Sequence, residues 1–420
     1  MEYTSYEYVT NEIMNKRRFG NKCGRETIEE ALPILGYPDS GMRIIHIAGT
    51  NGKGSTAACL ESLLAAAGYR TGLFTSPHLE DFAERIRING VNIAHEDVAR
   101  IGESLLERDD INGTMFDYCL LMALIYYREQ ECDYVILETG LGGRLDSTRS
   151  ISEKPLATII TRIGYDHMDI LGNSLGEIAA EKAGIIREGV PVVIGQSDEE
   201  ALSVLKAEAS DREAPVYMAS DLRPELEALL DKIRGEGLSP GLYGSYQLEN
   251  MSNALACIRI LLPDISDETL VRGLKNASWP GRMEILRTDP PVIIDGAHNP
   301  QGVAAMVEAL RYAGIADKGD VTFVIGMLKD KDYRTMIATM IPIAGAFYTV
   351  SIDEERGLDA GQLSEAVKEM TGEAGRSELP VRDITIDEAA DLAANDQHPL
   401  VICGSLHFIG SVRTLLKTFI

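Results

Sequence analysis

The sequence predicts an α/β protein in which a mostly parallel central sheet flanked by helices is followed by a smaller doubly wound, Rossmann-like domain. Short apolar runs of strand length alternate with apolar residues at helical spacing, and polar or glycine-rich residues follow several of these runs. The alternation starts afresh after residues 280–284, a link that contains proline and glycine. We therefore expect two domains, residues 1–282 and residues 283–420.

The composition is that of an ordinary globular protein, with 45% hydrophobic and 25% charged residues. The formal net charge of −25 disfavours nucleic acid and anionic membranes as partners, because both are negatively charged. We find no signal-peptide core and no apolar run that could span a bilayer, so we expect a cytoplasmic protein. The scattered cysteines form no CxxC pair and are expected to be reduced: Cys23, Cys59, Cys119, Cys132, Cys257 and Cys403.

A glycine-rich turn lies between a strand at residues 44–48 and the helix that follows it. Gly49, Gly52 and Gly54 allow the backbone to turn sharply and to approach an anion closely, because no Cβ blocks the approach. The amides at the helix start would then face a triphosphate. The alternative is a helix start selected for tight packing.

The side chains of the turn support the phosphate-binding interpretation. Lys53 would add positive charge, and Ser55 or Thr56 would offer a hydroxyl to magnesium. The turn departs from the common pattern GxxxxGK followed by Ser or Thr, because Gly54 separates Lys53 from Ser55. The rest of the chain must therefore decide between the two interpretations.

The same patterns predict the remaining elements in order. Residues 1–40 are expected to form one or two amphipathic helices, and residues 82–93 a hairpin that turns at Asn89 and Gly90. Residues 198–240 are highly charged and are expected to be peripheral. The other first-domain elements are strands at residues 71–74, 133–137, 156–161 and 191–195, and helices at residues 96–106, 115–127, 174–186 and 247–262. Second-domain strands are predicted at residues 292–294, 321–325, 347–351 and 400–403, and helices at residues 302–313, 333–341 and 361–370.

Polar residues after neighbouring strands predict where the chemistry lies. Glu138 and His167 each follow an apolar strand, so both could stand above the carboxyl edge of the sheet near the turn. A carboxylate there suits a hard cation that bridges phosphate oxygens. His167 could instead be a hydrogen-bonded loop residue, whereas His46 lies inside a strand and is expected in the core.

Three further residues are candidates, and two of them, Lys182 and Arg282, have two interpretations each. Lys182 is a helical lysine, which is usually a solvated surface charge, but its alanine-rich surroundings could desolvate it and make it reactive. Asp295 follows an apolar strand of the second domain. Arg282 lies in the link and could neutralise phosphate charge, with an interdomain salt bridge as the alternative.

Several blocks distributed along the chain are jointly far more specific than the turn alone. They are HIAGTNGKGSTAA, GLFTSPHL, ERIRINGVNI, VILETGLGGRLDST, IGYDHMDILG, EIAAEKAGIIR, WPGRMEIL and IIDGAHNPQG. Together they resemble the folylpolyglutamate synthase and dihydrofolate synthase family, within the Mur ligase superfamily of ATP-dependent amide-forming enzymes. The resemblance implies an ATP-binding first domain and a glutamate-ligase second domain.

The resemblance also implies ligands and site residues. The cofactors would be ATP and Mg²⁺, with a monovalent cation such as K⁺ as a further candidate. The residues implied at the nucleotide and metal are the phosphate loop Asn51, Gly52, Lys53, Gly54 and Ser55, the magnesium ligands Ser76, Glu138 and His167, a carbamate on Lys182, and the nucleotide contacts Asn250, Arg282 and Asp295. Catalytic roles would fall to Lys53, Lys182, His167 and Arg282. Positions tied to the pterin substrate are Thr114, Asp117, Leu145, Asp146 and Ser147, and those associated with the incoming glutamate are His298 and Ser405.

The implied reaction transfers the γ-phosphate of ATP to a carboxylate of the substrate, and the resulting acyl phosphate is attacked by the amino group of L-glutamate. The acceptor would be folate, dihydropteroate or both, and a monomer is expected. Asp117 replaces an expected glutamate and His407 a more usual aromatic residue, so the choice of acceptor stays open. The alternatives are a cell-wall precursor ligase of the Mur type, which the TSPHL and LGGRLD blocks disfavour, and a nucleotide-binding regulatory or kinase-like P-loop protein.

Overall fold

The computed structural model describes residues 4–16, 24–317, 319–353 and 356–417 of the chain. The chain divides into two compact units. Unit 1 comprises Met1–Gly241 and Leu248–Ser278, and unit 2 comprises Leu242–Gln247 and Trp279–Ile420. Cys23 lies outside the described residues, and the other five cysteines are free thiols, as predicted.

Unit 1 is built on one eight-stranded sheet. Its strands are β1 Ile44–Ala48, β2 Thr71–Phe74, β3 Ile86–Ile88, β4 Val91–Asn92, β5 Tyr134–Glu138, β6 Ala157–Ile160, β7 Val192–Ile194 and β8 Val216–Met218. They stand in the order β4-β3-β2-β5-β1-β6-β7-β8. The pairs β2–β3 and β3–β4 are antiparallel and the other pairs are parallel, which confirms the mostly parallel sheet. The predicted hairpin is also confirmed, because Asn89 and Gly90 both have the positive φ of a type I′ turn.

The strand order places a topological switch point at β1. β1 lies between β5 and β6, and all five of its residues are buried. From β1 the chain passes to β2 on the far side of β5, and from β5 it crosses to β6 on the opposite side of β1. Loops that leave in opposite directions open a crevice at the carboxyl ends of the strands, where α/β proteins bind ligands.

Helices cover this sheet. They are α1 Ser5–Met14, α2 Gly24–Ile34, α3 Lys53–Ala66, α4 His95–Leu106, α5 Met115–Glu129, α6 Met168–Leu171, α7 Leu175–Ala183, α8 Glu199–Asp211, α9 Arg223–Gly235, α10 Gln247–Leu261 and α11 Asp267–Asn276. Side chains of α1, α2, α4 and α5 share one buried apolar cluster with β1, β2 and β5. Side chains of α7 and α8 share another with β6 and β7. No helix in the described part of the chain has the length and apolar character needed to cross a bilayer.

Two predictions for unit 1 need correction. The helix predicted to reach Ile186 ends at Ala183 and is capped by Gly184, where the Arg144 backbone, 2.3 Å from the position of a Cβ, leaves room only for glycine. Residues 198–240 contain α8, α9 and the edge strand β8, so this charged segment extends the sheet. Two of the three residues of β8 are exposed, which explains why no strand pattern is visible in the sequence.

Unit 2 is a smaller sheet of six strands in the order β13-β12-β11-β14-β10-β9. The strands are β9 Glu284–Thr288, β10 Pro291–Asp295, β11 Val321–Ile325, β12 Ala344–Thr349, β13 Val381–Asp383 and β14 Leu400–Cys403. Only β9 runs antiparallel to its neighbour, β10. The helices are α12 Pro300–Tyr312, α13 Tyr333–Met340, α14 Ala360–Glu373, α15 Ile386–Asn395 and α16 Leu406–Leu416. The doubly wound second domain is thus confirmed, although β9 and β13 lack an apolar run and are not predicted.

Candidate active site

The glycine-rich turn joins the end of β1 to the start of α3, and its backbone is closely surrounded. Gly49 has φ of 148°, and a Cβ there would lie 1.8 Å from Thr161 Oγ1. Gly52, the N-terminal cap of α3, has φ of 90°, and a Cβ there would lie 2.1 Å from Asn250 Oδ1. Glycine is therefore required at both positions by conformation and by space.

The segment after β6 holds the turn in place. The Thr50 amide donates to the Arg162 carbonyl at 2.9 Å, and Thr161 Oγ1 donates to the Asn51 carbonyl at 2.8 Å. The Thr50 hydroxyl also bonds both backbone groups of Gly164 at 3.0 Å. Because these contacts bind the loop from one side, the amides at the start of α3 keep a fixed orientation.

Two lysines converge on one carbonyl oxygen of the turn. Lys53 Nζ lies 3.2 Å and Lys182 Nζ 2.9 Å from the Gly49 oxygen. Lys53 Nζ also lies 3.8 Å from a carboxylate oxygen of Glu138, the last residue of β5. Both cations thus stand at the carboxyl edge of the sheet, beside the positive N-terminus of α3.

Lys182 is buried, with 5% of its surface exposed, so it is not the solvated surface charge that was the alternative. Burial lowers the pKa of its amine to about 7, and the positive charge of Lys53 acts in the same direction. The carboxylates of Asp166 and Asp146 raise it in part. Near neutral pH a large share of Lys182 is therefore an uncharged, nucleophilic amine.

The three residues proposed as metal ligands lie at or after the carboxyl ends of β2, β5 and β6. Ser76 comes two residues after β2, Glu138 ends β5, and His167 begins the short helix α6 with φ of 49°. Among the described residues, no group of three or more His, Cys, Asp and Glu side chains is placed to hold a metal. The proposed set contains only two such side chains, and its hydroxyl and carboxylate oxygens suit a hard cation that also binds phosphate oxygens.

Asn250 and Ser55 also lie at the turn. Asn250 is carried by α10 and is 6% exposed, and its amide group occupies the space above Gly52. The Thr56 hydroxyl of α3 donates to the Asn250 backbone oxygen at 3.4 Å, and Ser55 is 2% exposed. The predicted phosphate loop and Asn250, nearly 200 residues apart in sequence, are thus brought together.

Three of the five residues tied to the pterin substrate form one cluster. The Thr114 amide and hydroxyl donate to Asp117 Oδ2 at 2.7 and 2.8 Å, in a capping box that begins α5. The Ser147 hydroxyl donates to Asp117 Oδ1 at 2.5 Å. Asp117 is fully buried, so its shorter side chain is fixed by contacts within the protein.

The other two residues of that set differ in exposure. Leu145 is half exposed, whereas Asp146 is 6% exposed and caps the 3-10 helix Ser147–Ser150. Asp146 Oδ2 accepts from the Leu141 amide at 2.9 Å. Burial raises the pKa of Asp146, and hydrogen bonds from Thr148 and neighbouring amides lower it in part.

In unit 2, Asp295 ends β10 and is buried among three donors. The Tyr246 hydroxyl and the Met283 amide donate to Oδ2 at 2.7 and 2.9 Å, and the Ala297 amide donates to Oδ1 at 2.8 Å. Burial raises the pKa of Asp295 although Arg282 lowers it in part. Sequence reasoning missed Tyr246, because nothing in its spacing indicates a contact with residue 295.

The remaining candidates in unit 2 surround the ends of β10 and β14, which are neighbours. A Cβ on Gly296 would lie 1.9 Å from Arg282 Nη1, so the guanidinium rests against that glycine. His298 Nδ1 lies 2.8 Å from the Gly296 oxygen. Ser405 caps α16 just after Gly404, whose amide donates to the Ala297 oxygen at 3.1 Å.

The sequence and the fold correspond to a known class of ligase. Residues 47–258 match the Mur ligase middle domain, and residues 281–406 match the Mur ligase glutamate ligase domain. The chain is therefore a Mur ligase.

Relatives that match over nearly their whole length identify the family within the Mur ligases. The chain is 37% identical to the dihydrofolate synthase/folylpolyglutamate synthase of Bacillus subtilis, over 99% of this chain and 100% of that protein. The structure resembles Mycobacterium tuberculosis folylpolyglutamate synthase complexed with ADP, with a TM-score of 0.84, 28% identity and 98% of each chain covered. It also resembles the bifunctional Yersinia pestis enzyme complexed with AMPPNP and a Mn ion, with a TM-score of 0.82, 29% identity, and 99% of this chain and 100% of that one covered. The chain belongs to the folylpolyglutamate synthase and dihydrofolate synthase family, as its sequence blocks predict.

Proposed function

We propose that this chain is an ATP-dependent ligase that adds L-glutamate to folate and also to dihydropteroate. The observation that carries the proposal is the convergence of Lys53 and Lys182 on the Gly49 oxygen, beside Glu138 and the start of α3. This arrangement supplies positive charge and backbone amides for a nucleotide. The relatives named above share the whole length of the chain and are folate or dihydrofolate ligases by name.

The chain's own groups would perform the electrostatic part of the reaction. Lys53 and the amides of the turn would offset the charge of the phosphates, and Asn250 would contact the nucleotide beside Gly52. Ser76, Glu138 and His167 would hold the magnesium ion, which stabilises charge on the transferred phosphoryl group. In unit 2, Arg282 and Asp295 are proposed nucleotide contacts. No side chain needs to act as a covalent nucleophile, because the amine of glutamate attacks an acyl phosphate.

Lys182 is proposed to carry a carbamate. An uncharged amine is the form that combines with carbon dioxide, and the buried Lys182 supplies that form near neutral pH. Carbon dioxide would bond to that amine with loss of one proton from the nitrogen, and Lys53, which repels a protonated Lys182, would instead attract the resulting anion.

The acceptor substrate is proposed to bind at Thr114, Asp117 and Ser147, next to Leu145 and Asp146. Their polar groups are held rigidly by one another, as recognition of a heteroaromatic ring requires. His298 and Ser405 are proposed contacts of the incoming glutamate. We further propose a cytoplasmic monomer that acts on small molecules only, with neither nucleic acid nor membrane as a partner.

The test is a side-by-side assay with dihydropteroate and tetrahydrofolate, each with L-glutamate, ATP and Mg²⁺, and with the products identified by mass. We expect one glutamate to be added to dihydropteroate and one or more to tetrahydrofolate. Addition to tetrahydrofolate alone would contradict the dihydropteroate activity. Addition to neither, with turnover on a cell-wall precursor, would contradict the proposal as a whole.

A further inference from the structure

We propose that His46 is a positioning residue that acts through Thr148 to fix the carboxylate of Asp146 and the substrate-binding loop around it. This inference rests on the proposed function, because it assigns a role within the binding of the acceptor substrate. It concerns a histidine that sequence analysis assigns only to the core.

A continuous chain of hydrogen bonds carries the inference. His46 Nε2 lies 2.7 Å from Thr148 Oγ1, and Thr148 Oγ1 lies 2.5 Å from Asp146 Oδ1. The Thr148 amide donates to the same oxygen at 3.0 Å. His46 and Thr148 are fully buried, so water does not compete for these bonds.

The single proton of the Thr148 hydroxyl determines the donor and the acceptor in each of these hydrogen bonds. The Thr148 hydroxyl has one proton, which it donates to the Asp146 carboxylate, so it must accept from His46 Nε2–H. His46 Nδ1 is buried and has no hydrogen-bond partner among the described residues. A proton on Nδ1 would be a buried donor without an acceptor, which costs more than an unused lone pair. The Nε2–H tautomer is therefore the one that the surroundings favour.

The ring stays neutral at physiological pH. Burial lowers the pKa of His46 to about 3, and the positive charge of Arg149 acts in the same direction. The histidine is therefore a fixed neutral donor and not a proton shuttle.

The hydrogen bonds from His46 to Asp146 connect two parts of the proposed site. His46 lies in β1, three residues before Gly49, so its backbone is fixed by the sheet that holds the phosphate loop. Asp146 Oδ2 accepts from the Leu141 amide at 2.9 Å, and Ser147, the next residue, donates to Asp117. The loop that offers substrate contacts is thus attached to the phosphate-loop strand through one buried side-chain pair.

The hydrogen-bonding capacity of the Asp146 carboxylate is largely used within the protein. A carboxylate offers about four lone-pair sites, and those of Asp146 accept from Leu141 and twice from Thr148, with a further backbone hydrogen bond from Gly140. Asp146 therefore acts chiefly by orienting the loop. Loss of the His46–Thr148 bond should loosen acceptor binding and leave nucleotide binding unchanged.

The first test is nitrogen-15 NMR of histidine-labelled protein, with His46 assigned by its loss in His46→Leu. We expect a pyrrole-like Nε2 and a pyridine-like Nδ1 at about pH 7. A protonated Nδ1 would overturn the proposal, whether or not the protein proves to be a folate ligase.

The second test is kinetic and uses Thr148→Val and Thr148→Ser. The valine lacks the hydroxyl, and we expect KM for the pteroyl acceptor to rise roughly tenfold, the weight of one buried hydrogen bond, with KM for ATP unchanged. The serine keeps the hydroxyl and should restore the KM.

His46→Leu should raise KM for the acceptor as Thr148→Val does, and the double variant should show no further rise. His398→Leu, at an exposed histidine of unit 2, is the control. An equal rise in KM for ATP and for the pteroyl acceptor would refute the positioning role. So would rises in KM for the acceptor that add up in the double variant.

Discussion

At the residue scale, the central feature of the candidate site is a pair of lysine side chains that contact the same carbonyl oxygen. Lys53 and Lys182 both contact the Gly49 oxygen, yet only Lys182 is deeply buried. Glu138 lies close enough to stabilise the charge of Lys53, whereas Lys182 depends on more distant carboxylates. We therefore propose different roles for the two amines: Lys53 as the cation that would face phosphate, and Lys182 as the amine that would be modified.

The pH dependence of Lys182 follows from the direction of its pKa shift. In the unfolded chain this amine is protonated up to about pH 10, while in the folded protein its pKa is lowered to about 7. We expect a carbamate signal from carbon-13-labelled bicarbonate to grow as the pH rises through 7, because the neutral amine reacts. Lys182→Met should remove the signal. A signal that persists in that variant, or none up to about pH 9, would contradict the assignment.

Lys53→Met tests the role of the permanent cation. Turnover should fall by at least about 100-fold, the loss seen when one charge-stabilising donor is removed from an active site. The thermal midpoint should change little, because a partly exposed lysine contributes modestly to stability. Lys206→Met, at an exposed lysine of α8, serves as the control. Near-normal turnover of Lys53→Met would remove the loop from the mechanism.

At the scale of elements, the junction of β1 and α3 positions the site. Gly52 and Gly68 form a matched pair at the two ends of α3, with φ of 90° and 93°. A Cβ on Gly52 would meet Asn250 at 2.1 Å, whereas a Cβ on Gly68 would meet nothing within 4 Å. Alanine at either position should cost about 1 kcal/mol of unfolding free energy because of the positive φ, and at Gly52 the displacement of the buried Asn250 amide should add to this cost. Only Gly52→Ala should also lose ATP turnover, because it displaces the Asn250 amide. Equal ATP turnover in Gly52→Ala and Gly68→Ala would contradict a role of Gly52 in nucleotide binding.

The start of α5 offers a second test at this scale. Thr114→Ala removes one half of a capping box, and Thr385→Ala removes the corresponding half at α15 in unit 2. Each should lower the unfolding free energy by about 1 kcal/mol. Only Thr114→Ala should raise KM for the pteroyl acceptor, since the Thr114 hydroxyl donates to Asp117, the carboxylate that also accepts from Ser147. Denaturant melts and acceptor titrations on both variants check the two expectations, and a raised KM in Thr385→Ala would show a non-specific effect.

The sequence predicts the elements that bury apolar runs and misses those that do not. β1, β5 and β11 are mostly apolar strands, and their burial on both faces of a sheet produces that pattern. β8 and β13 are three-residue edge strands with exposed side chains, so their pairing depends on neighbours and not on composition. Glycine in the phosphate loop is visible in the sequence because conformation demands it there.

Side-chain contacts across long sequence separations are the part of the site that the sequence cannot predict. Tyr246 bonds Asp295, and His46 bonds Thr148 102 residues away. Neither pair follows a helical or strand period, because each joins segments that are distant in sequence. Family blocks identify Asp146 and Asp295 as important positions, but only the structure shows that both carboxylates accept from donors of the protein itself.

At the scale of the whole molecule, an acidic protein is expected to bind anionic substrates. The net charge of −25 would repel ATP, glutamate and folate, so attraction must be local. Unit 1 supplies it at Lys53 and at the start of α3, and unit 2 carries Arg282 against Gly296. The family's ligase activity is therefore compatible with an acidic surface because a few buried or partly buried groups determine the potential at the site.

The most direct measurement of the central claim is phosphate release from ATP and Mg²⁺ with each substrate omitted in turn. If the chain activates a carboxylate of the acceptor and then transfers it to an amine, sustained release should require both L-glutamate and a pteroyl acceptor. One phosphate should appear for each amide formed. Release that continues at the same rate without either substrate would contradict the ligase and would favour a nucleotide-driven regulatory or kinase-like protein.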